Sequence, residues 1–289
     1  MGKTIAVTGV TGAQGQAIAA AFKSAGHAVI GLTRRNDVSG GQRRFVMEDP
    51  ASLVTALTGV EVLAVTSPID HRPGVRQAWA AALTKAAATA GVQHIVLNTA
   101  ASISPGLERP VAQVLREVRA LFLAGPTPCT VIEPTVYLDN FTAPWMAEAL
   151  AAGIVPYPAP ATARVAWVSH QTLGAALVAA AGRPELAGRS LRIGGTVLSG
   201  TELVARINAH TGLALQYQEQ SPDAFAAFLN SAMGAPTGDD IADFYRFLRD
   251  QPDALALLNG GDSAELGIVP ESIEAWAARQ NWPKAPAVS

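Results

Sequence analysis

Thr8-Gly9-Val10-Thr11-Gly12-Ala13-Gln14-Gly15 is the stretch of this chain best suited to chemistry. Glycines at this spacing let main-chain N–H groups approach a pyrophosphate while the N-terminus of the following helix faces its charge. Gly9, Thr11, Gly12, Ala13, Gln14 and Gly15 are therefore expected to bind a dinucleotide. About 20 residues beyond such a turn, an acid would bond both hydroxyls of the adenosine ribose. Arg34 and Arg35 stand there instead. Two guanidinium groups suit a 2′-phosphate, so the expected cofactor is NADP(H).

Two further groups could act on a substrate. Asp70-His71-Arg72 offers His71 as a proton donor, set against the plainer reading of a solvated histidine paired to Asp70. Tyr137 follows Pro134 and presents its hydroxyl either to an acceptor or to packing beneath a lid. His27, His94, His170 and His210 have no ligand spacing, so no metal is expected. No nucleophile elbow or catalytic carboxylate pair is present.

These residues need a frame, and strand and helix patterns alternate through the first half. Strands are expected over 4–8, 28–33, 45–47, 60–66, 95–97 and 130–132. Helices are expected over 16–25, after Asp49-Pro50, over 75–90 and over 110–123. Such alternation predicts an α/β protein whose doubly wound parallel sheet is covered on both faces. Ligands of these sheets lie beyond the carboxyl ends of the strands. Segments 9–15, 34–35, 66–72, 98–104 and 134–140 then surround one crevice.

From about Tyr157 the texture changes. A loop over 157–161 precedes a strand over 163–168, a helix over 171–181, a strand over 191–193 and a helix over 200–211. A helical tail follows, carrying Phe225, Phe228, Phe244, Tyr245 and Phe247 at packing distances. Residues 1–156 are expected to form the NADP(H)-binding domain, and 157–289 mainly a smaller α/β substrate-binding lobe and lid, with some segments free to return to the sheet.

The net charge of −2 gives no footprint for nucleic acid. No apolar run approaches the roughly 18–20 residues of a membrane span. The sole cysteine, Cys129, lies in a strand-like stretch and reads as a buried thiol. Without a leader-like segment, a cytoplasmic protein is expected, with a small-molecule acceptor as its partner and neither nucleic acid nor membrane.

In the order and spacing of its motifs, the chain resembles the NmrA-like branch of the atypical short-chain dehydrogenases/reductases. The resemblance rests on the glycine turn, Arg34-Arg35, Asp49-Pro50-Ala51-Ser52-Leu53 and Gly91-Val92-Gln93-His94-Ile95-Val96. It continues through Cys129-Thr130-Val131-Ile132-Glu133-Pro134 and Tyr137-Leu138-Asp139-Asn140-Phe141, and is looser in the second half. It implies a Rossmann-type NADP(H) domain with a small α/β substrate lobe. Some members reduce quinones, azo dyes, triphenylmethane dyes or phenylpropanoids, and others sense the dinucleotide and regulate a protein partner.

The departures from that pattern are chemical. Reductases of the wider superfamily carry Tyr-x-x-x-Lys with a Glu four residues beyond the Lys. With Glu117 at the acidic position, Gln113 stands for the Lys and Arg109 for the Tyr. Ala100 falls near the usual catalytic hydroxyl, leaving Thr99 or Ser102 as stand-ins, and Glu133 replaces a common arginine. Gln113 can bond a ribose hydroxyl but carries no charge to shift a pKa. Thr66, Ser67, Pro68 and Pro134, beyond the strand ends, are expected to bind the cofactor, with Thr99 and Gln113 at the nicotinamide ribose. His71, Tyr137 and Gln113 are the catalytic candidates. The expected function is NADPH-dependent reduction of a quinone, azo or other dye-like acceptor; the alternative is a non-catalytic NADP(H) sensor acting through a protein.

Overall fold

Alternate residues of the first strand face opposite sides of a sheet, and both sides are covered. In the computed structural model, which describes residues 2–70, 72–102, 110–256 and 259–283, β1 (Thr4–Thr8) sends Ile5 and Val7 to one face and Ala6 to the other. All three are fully buried. α1 (Ala13–Ser24) leaves β1 through the glycine turn, and β2 (Ala28–Thr33) returns parallel to β1. β3 (Gln42–Arg44) pairs with β2. α2 (Pro50–Ala56), β4 (Val62–Thr66), α3 (Val75–Thr89), β5 (His94–Asn98), α4 (Pro110–Leu123) and β6 (Cys129–Pro134) continue the alternation.

The third strand corrects the expectation. It lies on Gln42–Arg44 rather than over 45–47. As the outermost strand it is paired on one side only, and polar residues are favoured on such an edge. Arg43 turns to the carbonyls of Ala56 at 3.1 Å and Thr58 at 2.6 Å. The apolar run that suggested a strand begins with Phe45, which is buried just past it.

The second half supplies α5 (Ala147–Ala151), β7 (Ile154–Tyr157), β8 (Val165–Trp167), α6 (His170–Ala181), β9 (Ser190–Ile193), β10 (Thr196–Leu198) and α7 (Gly200–Thr211). β11 (Gln216–Glu219), α8 (Pro222–Met233), α9 (Thr237–Asp250) and α10 (Ile273–Ala278) follow. β9 pairs with β6, giving an all-parallel sheet of seven strands in the order β3-β2-β1-β4-β5-β6-β9. Buried Glu133 of β6 ties this edge together, pairing with Arg119 of α4 at 2.8 Å and Arg192 of β9 at 3.8 Å.

α1 and α6 cover one face through Ile18, Phe22, Leu173 and Leu177. α2, α3 and α4 cover the other through Leu53, Trp79, Leu83 and Phe122. This is the Rossmann-type fold. Its strand order reverses between β1 and β4, the place where such sheets bind ligands. A separate core around Phe141, Tyr157, Trp167, Tyr245 and Trp276 holds the other elements of the second half. There β8 pairs with β10 and β7 with β11. Among the described residues, no helix is long and apolar enough to cross a membrane.

Candidate functional site

The glycine turn is built to leave donors open. Gly9 has φ +68°, a left-handed conformation that costs an L side chain energy, and its carbonyl accepts from Gly12 N at 2.9 Å. Gly12 then begins α1 with no side-chain cap. By contrast, Asp49, Ser169, Ser199, Ser221 and Ser272 cap their helices with side-chain oxygens. Thr11, Gly12 and Ala13 are exposed, so the first N–H groups of α1 face outward at the positive end of the helix. A Cβ on Gly12 would meet nothing nearer than Gly9 O at 3.5 Å. The turn thus has both the donors and the space that a pyrophosphate needs.

Behind the turn, the strand ends are joined by side chains. Thr66 N donates to Thr8 Oγ1 at 2.9 Å, and Ser67 N to the Asn98 carbonyl at 2.9 Å. Gln14 Oε1 accepts from Asn98 Nδ2 at 2.8 Å and from the Tyr137 hydroxyl at 3.1 Å. The Gln14 side chain therefore faces inward, and only its main chain is directed to the turn. Tyr137 is buried, and its ring packs edge-on against His170 with centroids 4.6 Å apart. Burial drives the Tyr137 hydroxyl far above its ordinary pKa, so it stays protonated. Burial also lowers His170, opposed by Asp139 at 3.7 Å.

The end of β5 is strained. Ala100 is the one non-glycine among the described residues with positive φ, at +63°, a conformation costing about 1–2 kcal/mol. Asn98 Oδ1 holds it by accepting from its N–H at 2.9 Å. The Thr99 hydroxyl donates to the Ala101 carbonyl at 2.7 Å and the Ile132 carbonyl at 3.2 Å. Ser102 Oγ donates to the carbonyls of Glu133 and Pro134. Both hydroxyls considered as stand-ins thus brace the main chain, and Pro134 lies buried at the end of β6 with its carbonyl accepting from Ser102.

The two arginines after β2 differ. Arg35 forms a bidentate pair with Asp37, both bonds 2.9 Å. Arg34 has no hydrogen-bond partner among the described residues and acts only through its field on Asp70. Asp70 itself is engaged by Arg72 at 3.0 and 2.6 Å, which holds its carboxyl below the usual range. His71 lies outside the described residues.

A cavity of about 340 Å³ opens between α3, α4 and α9, with Asp70, Arg76, Gln77, Gln113, Glu117 and Asp240 in its wall. Gln77 and Gln113 donate to Glu117 at 2.8 and 3.0 Å, keeping that carboxyl below its ordinary pKa. Ser67 Oγ accepts from Arg76 Nη2 at 2.8 Å. Tyr137 accordingly belongs to the Gln14 cluster and Gln113 to the Glu117 cluster. Sequence reasoning missed Asn98 and Arg76. Their signals were faint: an amide ending an apolar strand, and one arginine in the first turn of an alanine-rich helix.

Comparison with known proteins follows the same lines. The model of the NmrA-like family matches residues 1–276. The chain is 29% identical over 248 residues to (4-alkanoyl-5-oxo-2,5-dihydrofuran-3-yl)methyl phosphate reductase of Streptomyces griseus, covering 81% of this chain and 83% of that one. It is 27% identical over 172 residues to NAD(P)H azoreductase of Xenophilus azovorans, covering 59% and 58%. Among solved structures, triphenylmethane reductase of Citrobacter sp. complexed with NADP(H) superposes with TM-score 0.74 at 19% identity, over 96% of this chain and 100% of that one.

Proposed function

This chain belongs to the NmrA-like family, and on that premise we propose that it is an NADPH-dependent reductase of conjugated, electron-poor acceptors such as quinones, azo compounds and other dye-like molecules. The observation that carries the reading is the open turn at the sheet's switch point, where α1 begins uncapped. The main chain of Gly9, Thr11, Gly12, Ala13, Gln14 and Gly15 would hold the pyrophosphate. Arg34, with Arg35 beside it, would meet the 2′-phosphate. Thr66, Ser67 and Pro68 would line the path towards the nicotinamide, with Gln113 near its ribose and Thr99 shaping the loop beside it. β1–β6 and α1–α4, with the returning α6 and β9, would form the cofactor half of this arrangement, and the lobe around Phe141, Tyr157, Trp167, Tyr245 and Trp276 would cover the acceptor.

When bound, NADPH supplies the hydride. The protein must hold the acceptor against it and manage the negative charge that arrives. A ketone would become an alkoxide, a strong base that needs a positioned acid. The Tyr-x-x-x-Lys pair that provides one is absent, and Tyr137, held protonated by burial, is a poor acid. A quinone becomes a hydroquinone anion whose charge spreads over the ring, so water can deliver the proton afterwards. The relatives named for an oxo-dihydrofuran phosphate and for azo reduction act on conjugated systems of this kind.

Purified protein with NADPH should therefore oxidise it in the presence of quinones, azo dyes or triphenylmethane dyes and not with simple ketones, followed by the loss of reduced-nicotinamide absorbance. Turnover of ketones would refute the argument from charge delocalisation. NADPH binding without consumption across the panel would favour a sensor that acts through a protein. Gln113→Ala should raise the KM for NADPH about threefold to tenfold, the share of one neutral hydrogen bond; an unchanged KM removes Gln113 from the ribose.

A further inference from the structure

Arg76 sits in the first turn of α3 and is only 4% exposed. Its one hydrogen bond among the described residues runs from Nη2 to Ser67 Oγ at 2.8 Å, and its Nε has no partner. Asp70 and Asp240 influence it through space alone. A buried guanidinium without a bonded counter-charge is expensive to keep. Burial pushes its pKa down to about 10, which still leaves it charged near neutrality.

The surroundings explain what would compensate it. Arg76 lines the cavity between α3 and α4, as do Gly74 and Pro110 at the N-terminal ends of these two helices. Gly74 gives α3 no side-chain cap, and neither helix has an acid in its first turn. Both positive helix ends therefore act on the same space. The carboxylates in its wall are already engaged. Asp70 is held by Arg72, Glu117 by Gln77 and Gln113, and Asp240 has a partner of its own. Ser67 is not in the cavity wall; its buried hydroxyl oxygen fixes one end of the guanidinium by accepting from Nη2. Through Ser67, which directly follows β4, the Arg76 side chain is tied to the end of that strand.

We propose that this cavity is an oxyanion subsite for the acceptor, and that Arg76, braced by Ser67, binds a phosphate, sulfonate or carboxylate carried on the conjugated molecule. The inference rests on the reductase reading and narrows its substrate class to conjugated anions. It differs from the 2′-phosphate site, which lies at the end of β2.

The test compares naphthoquinone sulfonate with naphthoquinone by calorimetric titration in excess NADP⁺, which requires no turnover. Wild-type protein should bind the sulfonate at least about 30-fold more tightly, as one charged hydrogen-bonded contact allows. That ratio should fall close to unity in Arg76→Gln and to an intermediate value in Arg76→Lys, which keeps the charge but loses the planar fork. No preference in wild type, a ratio unchanged in Arg76→Gln, or equal loss of both quinones in that variant would overturn the proposal. NADPH oxidation with the same two quinones separates the two readings. A binding preference without oxidation sinks the reductase and leaves the anion site; oxidation without a preference does the reverse.

Discussion

Gly15→Ala should leave a protein that no longer binds NADPH measurably and melts about 6–12 °C lower, the shift expected for roughly 3 kcal/mol in a domain of this size class. The cause is steric and involves backbone. A Cβ on Gly15 would stand 2.1 Å from Gly9 O, 2.4 Å from Gly9 C and 2.8 Å from Val10 N. No side chain can swing away to relieve those contacts, so either the turn is displaced or α1 tilts off β1. Each response moves the N–H groups of the turn away from the phosphate position, and a tilt also disturbs Ile18 and Phe22 in the core. Gly12→Ala is the matched control. Its Cβ would lie 3.5 Å from Gly9 O and φ is −100°, so the fold should keep its melting temperature. The added methyl would still crowd the open donors, and NADPH affinity should fall about tenfold, as for one impaired hydrogen bond to a charged group. Melting curves and calorimetry on both variants decide the matter. A Gly15→Ala protein with normal affinity would mean that the turn does not hold the dinucleotide.

The parts of this molecule legible in sequence are those whose partners lie nearby in the chain. β1 with its turn and α1 could be read because an apolar strand, glycines and a helical period follow one another without interruption. The helix over 110–123 was placed at its observed ends because Pro110 starts it and Ala112, Leu115, Val118 and Phe122 recur on one buried side. Pairings across long separations left weaker marks. β7 closes only against β11 some sixty residues later, with registers such as Val155 against Tyr217, and neither strand was expected from the sequence. β3 was misplaced because an edge strand can use polar residues, so the apolar run beside it drew the assignment. The site divides in the same way. The glycine turn is a local motif, so its strand–turn–helix geometry was readable. The Gln14–Asn98–Tyr137 cluster joins three distant segments, and the burial of Arg76 depends on where α3 meets Ser67. Neither leaves a pattern in the linear chain.

Removing the Arg34 guanidinium should convert a protein that prefers NADPH into one that barely distinguishes it from NADH. Arg34→Ala is expected to weaken NADPH by about 30- to 100-fold, the range for losing a charged contact to a phosphate, with NADH changed less than about twofold. The sequence treats Arg34 and Arg35 alike, but the structure does not. Both nitrogens of Arg35 that face Asp37 are occupied at 2.9 Å. A phosphate recruiting Arg35 would have to replace a carboxylate already bound in fork geometry. Arg34 loses nothing of this kind, since it has no hydrogen-bond partner among the described residues. Arg35→Ala should therefore cost NADPH only about threefold, within what a screened surface charge supplies. Because the site faces solvent, the preference for NADPH in the unaltered protein should also shrink as salt is raised. Fluorescence titration of both nucleotides against the two variants is sufficient. Equal losses of NADPH and NADH in Arg34→Ala would remove that residue from the 2′-phosphate, and a larger effect at Arg35 would show that the Asp37 pair opens to receive it.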